Sequence, residues 1–223
     1  MTKRLTVVEC FYSLQGEGAR AGTPNVFIRL AGCNLLCTVE SAGFNCDTDW
    51  SKGETHTVDS LLCLARTVWD QGGGPAWDSM RPVIFTGGEP LLQLDQLTVQ
   101  RFAEDGWAVC VETNGTIEPP PGIYWLSVSP KPQAEVKVKR ANEVRCVVRE
   151  GQEPDARGID ARYQFVSPAA VTPSMEAVRD PVRFKPGPDD LLGTRALAWA
   201  IEWVKGHPDW RLSVQQHKLW GVR

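Results

Sequence analysis

Residues 82–90 read PVIFTGGEP, an apolar run that passes without a break into a glycine-rich turn. The first half has the β-branched and aromatic character of a buried strand, and Thr86-Gly87-Gly88-Glu89-Pro90 then forms a turn at the strand's C-terminal end. Ligands collect at such strand ends in α/β folds. The switch recurs downstream: residues 107–111 run into Glu112-Thr113-Asn114-Gly115, and residues 123–128 into Ser129-Pro130-Lys131. Helical spacing fills the intervals. Thr57 is placed to cap a helix reaching about Asp70, with Leu61, Leu62, Ala65, Val68 and Trp69 on one face, and a second helix is expected over residues 94–104.

Working outward, residues 5–11, 25–30, 144–148, 163–166 and 211–214 have the same strand character. A helical turn is expected within residues 154–162. Residues 168–188 are proline-rich and read as irregular, and a last helix is expected from Asp189 or Asp190 through Val204. Strand, polar tip, helix, strand is the pattern of a parallel sheet with crossover helices. About six such strands are too few to close an eightfold barrel. The predicted fold is therefore α/β, an open partial barrel of (β/α)6 type resembling a TIM barrel, in a single domain over residues 1–223 with its polar tips on one rim.

Three of the seven cysteines fall in residues 33–48, CNLLCTVESAGFNCDT, on a loop taken as 33–50. Cys33, Cys37 and Cys46 give three thiolates and no fourth. Iron–sulfur clusters are usually held by four, so a cluster here keeps one iron open to another ligand. A zinc site needs four ligands, commonly in close pairs, and His56 has no partner at such a spacing. A disulfide does not suit an odd cysteine count and a chain without a signal peptide. Cys10, Cys63, Cys110 and Cys146 sit in apolar runs and are expected to be buried small hydrophobes.

The composition, 42% hydrophobic and 23% charged with a net charge of −3, is that of an ordinary globular protein. A nucleic-acid partner would call for a basic stripe. The one short basic run, Lys137, Lys139 and Arg140, is a solvated face. No segment is long and apolar enough to span a membrane, so a cytoplasmic location is expected. Two polar features stand out: Gln15 and Glu17 flanking Gly16 in residues 13–18, SLQGEG, and Arg29 inside the apolar run NVFIRL. A guanidinium there suits a carboxylate.

FYSLQGEG (11–18), the arginine-bearing strand before Cys33, CDT (46–48), TGGEP, ETNG, SPK and QHK near the end together resemble the radical S-adenosylmethionine superfamily, and more closely its 7-carboxy-7-deazaguanine synthases. The resemblance implies that Cys33, Cys37 and Cys46 hold a [4Fe–4S] cluster whose fourth iron binds S-adenosylmethionine. The 5′-deoxyadenosyl radical then abstracts hydrogen from 6-carboxy-5,6,7,8-tetrahydropterin, which contracts with loss of ammonia to the 7-deazapurine of the queuosine pathway. It implies further that Asn45, Cys46, Asp47, Gly88, Glu112, Ser129, Pro130 and Lys131 hold S-adenosylmethionine, and that Thr48 ligates Mg²⁺. Leu14, Gln15, Gly16, Glu17, Arg29, Thr86, His217 and the carboxylate of Arg223 would surround the pterin. A reductase or flavodoxin as electron donor and a homodimer are implied too.

The chain departs from the family in two places. The superfamily commonly spaces its cysteines CxxxCxxC, whereas eight residues part Cys37 from Cys46 here, an insertion that loop-closure entropy tolerates. Arg223 stands where proline is usual, a change to which its backbone carboxylate is expected to be indifferent, with Leu219, Trp220 and Val222 anchoring the tail against the core. Two other readings share some of these features: an activase that places a glycyl radical on a partner protein, and a noncatalytic iron–sulfur or zinc binding module.

Overall fold

The computed structural model describes residues 3–42, 44, 46, 48–74, 80–169 and 194–223. The strands are β1 (Arg4–Leu14), β2 (Pro24–Leu30), β3 (Glu54–Thr57), β4 (Arg81–Gly87), β5 (Trp107–Thr113), β6 (Trp125–Val128), β7 (Arg140–Val148), β8 (Asp160–Pro168) and β9 (Trp210–Leu212). They form one open sheet in the order β3-β1-β2-β4-β5-β6-β7-β8-β9. From β2 to β9 every pairing is parallel, while β1 runs antiparallel to both β2 and β3. The open α/β sheet is as expected. The antiparallel β1 and the short β3, which lacks an apolar run, were not legible.

The helices are α1 (Val39–Ala42), α2 (Val58–Gln71), α3 (Gln96–Glu104), α4 (Thr194–Lys205) and α5 (Gln216–Trp220). Thr57 caps α2 as predicted, its hydroxyl accepting from the Ser60 N–H at 3.1 Å, and Leu61, Leu62, Ala65 and Trp69 are buried beneath it. Asp95 caps α3 in the same way, at 2.9 Å from the Thr98 N–H. No helix separates β5 from β6, where Pro119, Pro120 and Pro121 remove three consecutive backbone donors. Residues 154–159 hold no helix either, only turns leading into β8. The last predicted helix is α4, but its expected start at Asp189 or Asp190 lies outside the described residues, as does most of the proline-rich stretch. Among the described residues no helix is long and apolar enough to cross a membrane.

Side chains alternate faces along each strand, and this sorts the sheet chemically. Val26, Ile28, Leu30, Val83, Phe85, Val109 and Val111 face the helices in the main core. Phe27, Ile84 and Cys110 point to the other face, where Phe11 and Trp125 pack on them. Two residues further along each of those strands, the second face turns polar: Arg29, Thr86, Glu112 and Ser127. Registry aligns them, with Arg29 beside Thr86 and Ser127 between Glu112 and Glu143. Glu9 joins the row from the antiparallel strand, opposite Arg29.

Candidate active site

The polar end of that face is organised by one guanidinium. Arg145 on β7 is only 5% exposed. Its Nη1 donates to Glu17 at 2.5 Å and its Nη2 to Glu112 at 2.9 Å, while Nε donates to Ser127 at 3.0 Å and lies 3.6 Å from Glu143. Burial works against the charge, but the carboxylates outweigh it and hold the guanidinium well above its usual range. Glu112 has the converse balance. Burial pushes its carboxyl up, and Arg145, Gln15 and Thr86 pull it below the ordinary carboxylate range. The Gln15 side-chain amide reaches Glu112 Oε1 at 3.0 Å, and the Thr86 hydroxyl reaches Oε2 at 3.0 Å.

The loop carrying Gln15 and Glu17 is fixed from beneath. Ala19 N–H donates to Glu143 at 2.8 Å and Gly18 N–H to Ser213 Oγ at 2.9 Å. Gly18 has φ +70°, and a side chain there would overlap the Glu143 carboxylate.

Two contiguous cavities open over this row. The first, of about 240 Å³, is lined by Cys33, Cys37 and Cys46 together with Gly88, Glu112, Asn114, Ser129, Lys131, Arg145 and Ser167. The loop holding the cysteines is closed by the Cys46 N–H, which donates to the Cys37 carbonyl at 3.1 Å. Leu35 N–H and the Gln133 amide donate to the sulfurs of Cys33 and Cys37 at 3.4 and 3.7 Å. Burial pushes both of those thiols up. Among the described residues no three His, Cys, Asp or Glu side chains converge as ligands of one metal ion. The three thiols rim a cavity instead of meeting at a point.

Glu89, the acid of TGGEP, is fully buried behind this cavity. Its carboxylate accepts from Leu91 N–H, the Thr113 hydroxyl and Asn114 N–H at 3.0, 2.8 and 2.8 Å, which ties the tip of β4 to the tip of β5. Burial pushes its carboxyl above the usual range. Gly88 lies against Gly32, so any Cβ would fall 2.1 Å from that carbonyl oxygen. Lys131 folds back onto its own tip, donating to the carbonyl and hydroxyl of Ser129 at 2.8 and 2.7 Å, and burial pulls its ammonium below the usual range.

The second cavity, of about 330 Å³, is lined by Leu14, Gln15, Gly16, Glu17, Arg29, Thr86, His217, Lys218 and Arg223, and shares Glu17, Thr48, Thr86, Gly87, Glu112 and Gln215 with the first. Arg29 donates through Nε to Glu9 at 2.7 Å and through Nη1 to Thr48 Oγ1 at 3.4 Å. The tail closes the far side. Gln216 N–H donates to the Gly16 carbonyl at 2.9 Å, and the His217 ring lies so close to Gly16 that a Cβ there would overlap it.

Arg223 is held by its side chain as well as its backbone. Ser13 Oγ donates to its carbonyl oxygen at 2.5 Å, its guanidinium pairs with Glu9 at 2.5 Å and lies 5.0 Å from the centre of the Phe11 ring. No motif in the sequence pointed to these side-chain contacts. The expected apolar anchor is corrected: Leu219, Trp220 and Val222 are 49%, 42% and 38% exposed. α5 is too short to bury a face, and polar contacts fix the tail.

Of the candidate residues, Cys33, Cys37, Cys46, Thr48, Gly88, Glu112, Ser129 and Lys131 line the first cavity, and Leu14, Gln15, Gly16, Glu17, Arg29, Thr86, His217 and Arg223 the second. Pro130 lines neither, and Asn45 and Asp47 lie outside the described residues. Of the other cysteines Cys110 and Cys146 are buried and Cys10 is half-buried, but Cys63 is exposed, on the outer side of α2. Arg145, Glu143, Ser127, Ser167 and Glu9 carried no sequence assignment. Ser167 Oγ is buried and has no hydrogen-bond partner among the described residues.

No protein-family model matches the chain. It is 37% identical to the 7-carboxy-7-deazaguanine synthase of Burkholderia multivorans and 40% identical to that of Bordetella pertussis, each alignment covering 97% of this chain and 98% of the relative. Among solved structures it is similar to QueE from Escherichia coli, at a TM-score of 0.62 and 25% identity over 96% of this chain and 95% of that one.

Proposed function

The chain belongs to the 7-carboxy-7-deazaguanine synthase family, and from that premise we infer that it is a radical S-adenosylmethionine enzyme converting 6-carboxy-5,6,7,8-tetrahydropterin to 7-carboxy-7-deazaguanine with loss of ammonia. The observation that carries the reading is the pair of contiguous cavities, one rimmed by three thiols and the other by Gln15, Glu17, Arg29 and His217, with Glu112 and Thr86 in the shared wall. A group bound in one then touches a group bound in the other. Radical transfer between cofactor and substrate requires that adjacency.

The first cavity fits a [4Fe–4S] cluster with S-adenosylmethionine. Its donor set is three thiols, one short of closing a cluster. Ser167, in the cavity lining, has an unspent hydroxyl suited to a polar cofactor. When bound, the cluster and S-adenosylmethionine supply the radical that starts the ring contraction; the protein binds and orients. We assign Cys33, Cys37 and Cys46 to the cluster, and Gly88, Glu112, Ser129 and Lys131 to S-adenosylmethionine, with Asn45, Asp47 and Pro130 assigned on the motif alone. In the second cavity Arg29 faces the substrate carboxylate while Gln15, Glu17, Thr86, His217 and the backbone of Leu14 and Gly16 meet the ring.

Thr48 borders both cavities and is proposed to give a hydroxyl oxygen to a Mg²⁺ ion, a hard cation that keeps several waters and clamps carboxylates well. A homodimer and a flavodoxin-type electron donor complete the proposal.

The test is anaerobic. Protein reconstituted with iron and sulfide, expected to hold about four of each per chain, is given the carboxytetrahydropterin, S-adenosylmethionine, reductant and Mg²⁺. Deazaguanine product confirms the reading, and a loaded cluster that leaves the pterin unchanged rejects it.

A further inference from the structure

Three strands and one loop aim polar groups at a single point, and the group at that point is one that the substrate and cofactor assignments leave out. Each nitrogen of Arg145 addresses a different element: Nη1 the loop after β1 through Glu17, Nη2 the tip of β5 through Glu112, and Nε β6 through Ser127. A planar guanidinium presents its donors in a fixed fork, so these contacts set relative positions as well as charge. We propose that Arg145 is a positioning residue for pterin recognition: it holds Glu17 and Glu112 as acceptors on the wall between the two cavities and so sets where the amine-bearing edge of the pterin lies relative to the cofactor. The inference rests on reading the second cavity as the pterin pocket.

The accounting at Glu112 shows why position matters. An ionised carboxylate has about four lone-pair sites. Gln15 and Arg145 take two on Oε1 and Thr86 takes one on Oε2, which leaves the remainder directed to the cavities. A pterin presents N–H donors on its aminopyrimidinone edge, and a carboxylate fixed at the shared wall meets them. Without Arg145, Glu17 and Glu112 would lose the cation that lies between them. Like charges so placed favour taking up a proton, and a protonated acid offers a donor to a donor edge. Glu143 meanwhile receives Ser127 Oγ at 2.6 Å and Ala19 N–H at 2.8 Å, so β7 holds the loop at both of its acidic contacts.

The test uses the reconstituted holoenzyme with S-adenosylmethionine bound, comparing wild type, R145K and R145Q. Equilibrium binding of 6-carboxypterin, the unreactive oxidised pterin, is measured beside kcat and KM for the tetrahydro substrate. Loss of charge-assisted hydrogen bonds predicts that R145Q binds carboxypterin about tenfold or more weakly and raises KM by a like factor. Cluster absorbance is expected to hold, and S-adenosylmethionine affinity to fall less than pterin affinity. R145K, which keeps the charge but not the fork, should recover part of the loss.

Wild-type pterin affinity and KM in R145Q would overturn the proposal. So would an equal loss of pterin, cofactor and cluster that R145K does not relieve, the mark of a merely structural residue. Should R145Q fail to fold, S127A removes only the hydroxyl that steadies Nε and is expected to raise the pterin KM about two- to fivefold; an unchanged KM there is equally fatal. A wild type that binds no carboxypterin sinks the pocket assignment itself, and the role of Arg145 with it.

Discussion

Glu9 holds two arginines at once, Arg29 through one carboxylate oxygen and Arg223 through the other. It engages Arg29 at Nε while Nη1 reaches Thr48 at 3.4 Å, which holds the guanidinium at the edge of the second cavity. Glu9→Gln is therefore expected to loosen both the substrate-facing arginine and the tail, raising the pterin KM about two- to fivefold, the scale of a partly exposed ion pair, with the cluster spectrum unaltered. Steady-state kinetics in 0.1 M and 0.5 M salt check it: the wild type should drift toward the variant as salt rises. Thr48→Val keeps shape and removes only the hydroxyl, so stimulation by Mg²⁺ should shrink; a titration with unchanged metal dependence would withdraw the assignment. Arg29 was legible because a cation inside an apolar strand is conspicuous. Arg145 stands in the same situation within residues 144–148. The alternation of faces that marks Phe27 and Arg29 also marks Glu143 and Arg145, and Phe165 and Ser167. What a single sequence lacks is the direction each strand runs, and without it these rows cannot be laid side by side.

The loop between β2 and β3 carries the three cysteines proposed to hold the cluster. Its eight-residue interval between Cys37 and Cys46 still brings both residues to one cavity, because the Cys46 N–H returns to the Cys37 carbonyl and draws the two ends of the interval together. Ala substitution at Cys33, Cys37 or Cys46 is expected to abolish visible cluster absorbance and turnover alike, while Cys63→Ala, on the exposed side of α2, leaves both unchanged. Absorbance and iron content of the reconstituted variants decide, and loss of the cluster in the Cys63 variant would undo the assignment. The strand-tip elements were readable from sequence since apolar runs and glycines sit in plain order. The tail was not. Its attachment is a set of long-range polar contacts, from Ser13, Gly16 and Glu9, and no local pattern encodes a partner some two hundred residues away.

On the scale of the molecule, the two cavities are parts of one trough along the polar end of the sheet. Glu112 borders both, whereas Arg29 borders only the second of the two. Glu112→Gln should therefore weaken S-adenosylmethionine and pterin together, each by about tenfold, while Arg29→Gln weakens the pterin alone. Binding isotherms for the two ligands separate these outcomes, and a Glu112 variant impaired toward one ligand only would show that the wall is not shared in function.

The sheet that carries the trough never closes, and its two ends are a four-residue strand, β3, and a three-residue strand, β9. An open edge is a template on which another chain can add a strand. Edges this short offer few unpaired backbone groups, and β3 is exposed or half-exposed along its whole length, with the sequence Glu-Thr-His-Thr. Copies of the chain thus have little purchase for stacking edge to edge into fibrils. Reversible association is left to side-chain surfaces, where it can stop at a fixed number of copies.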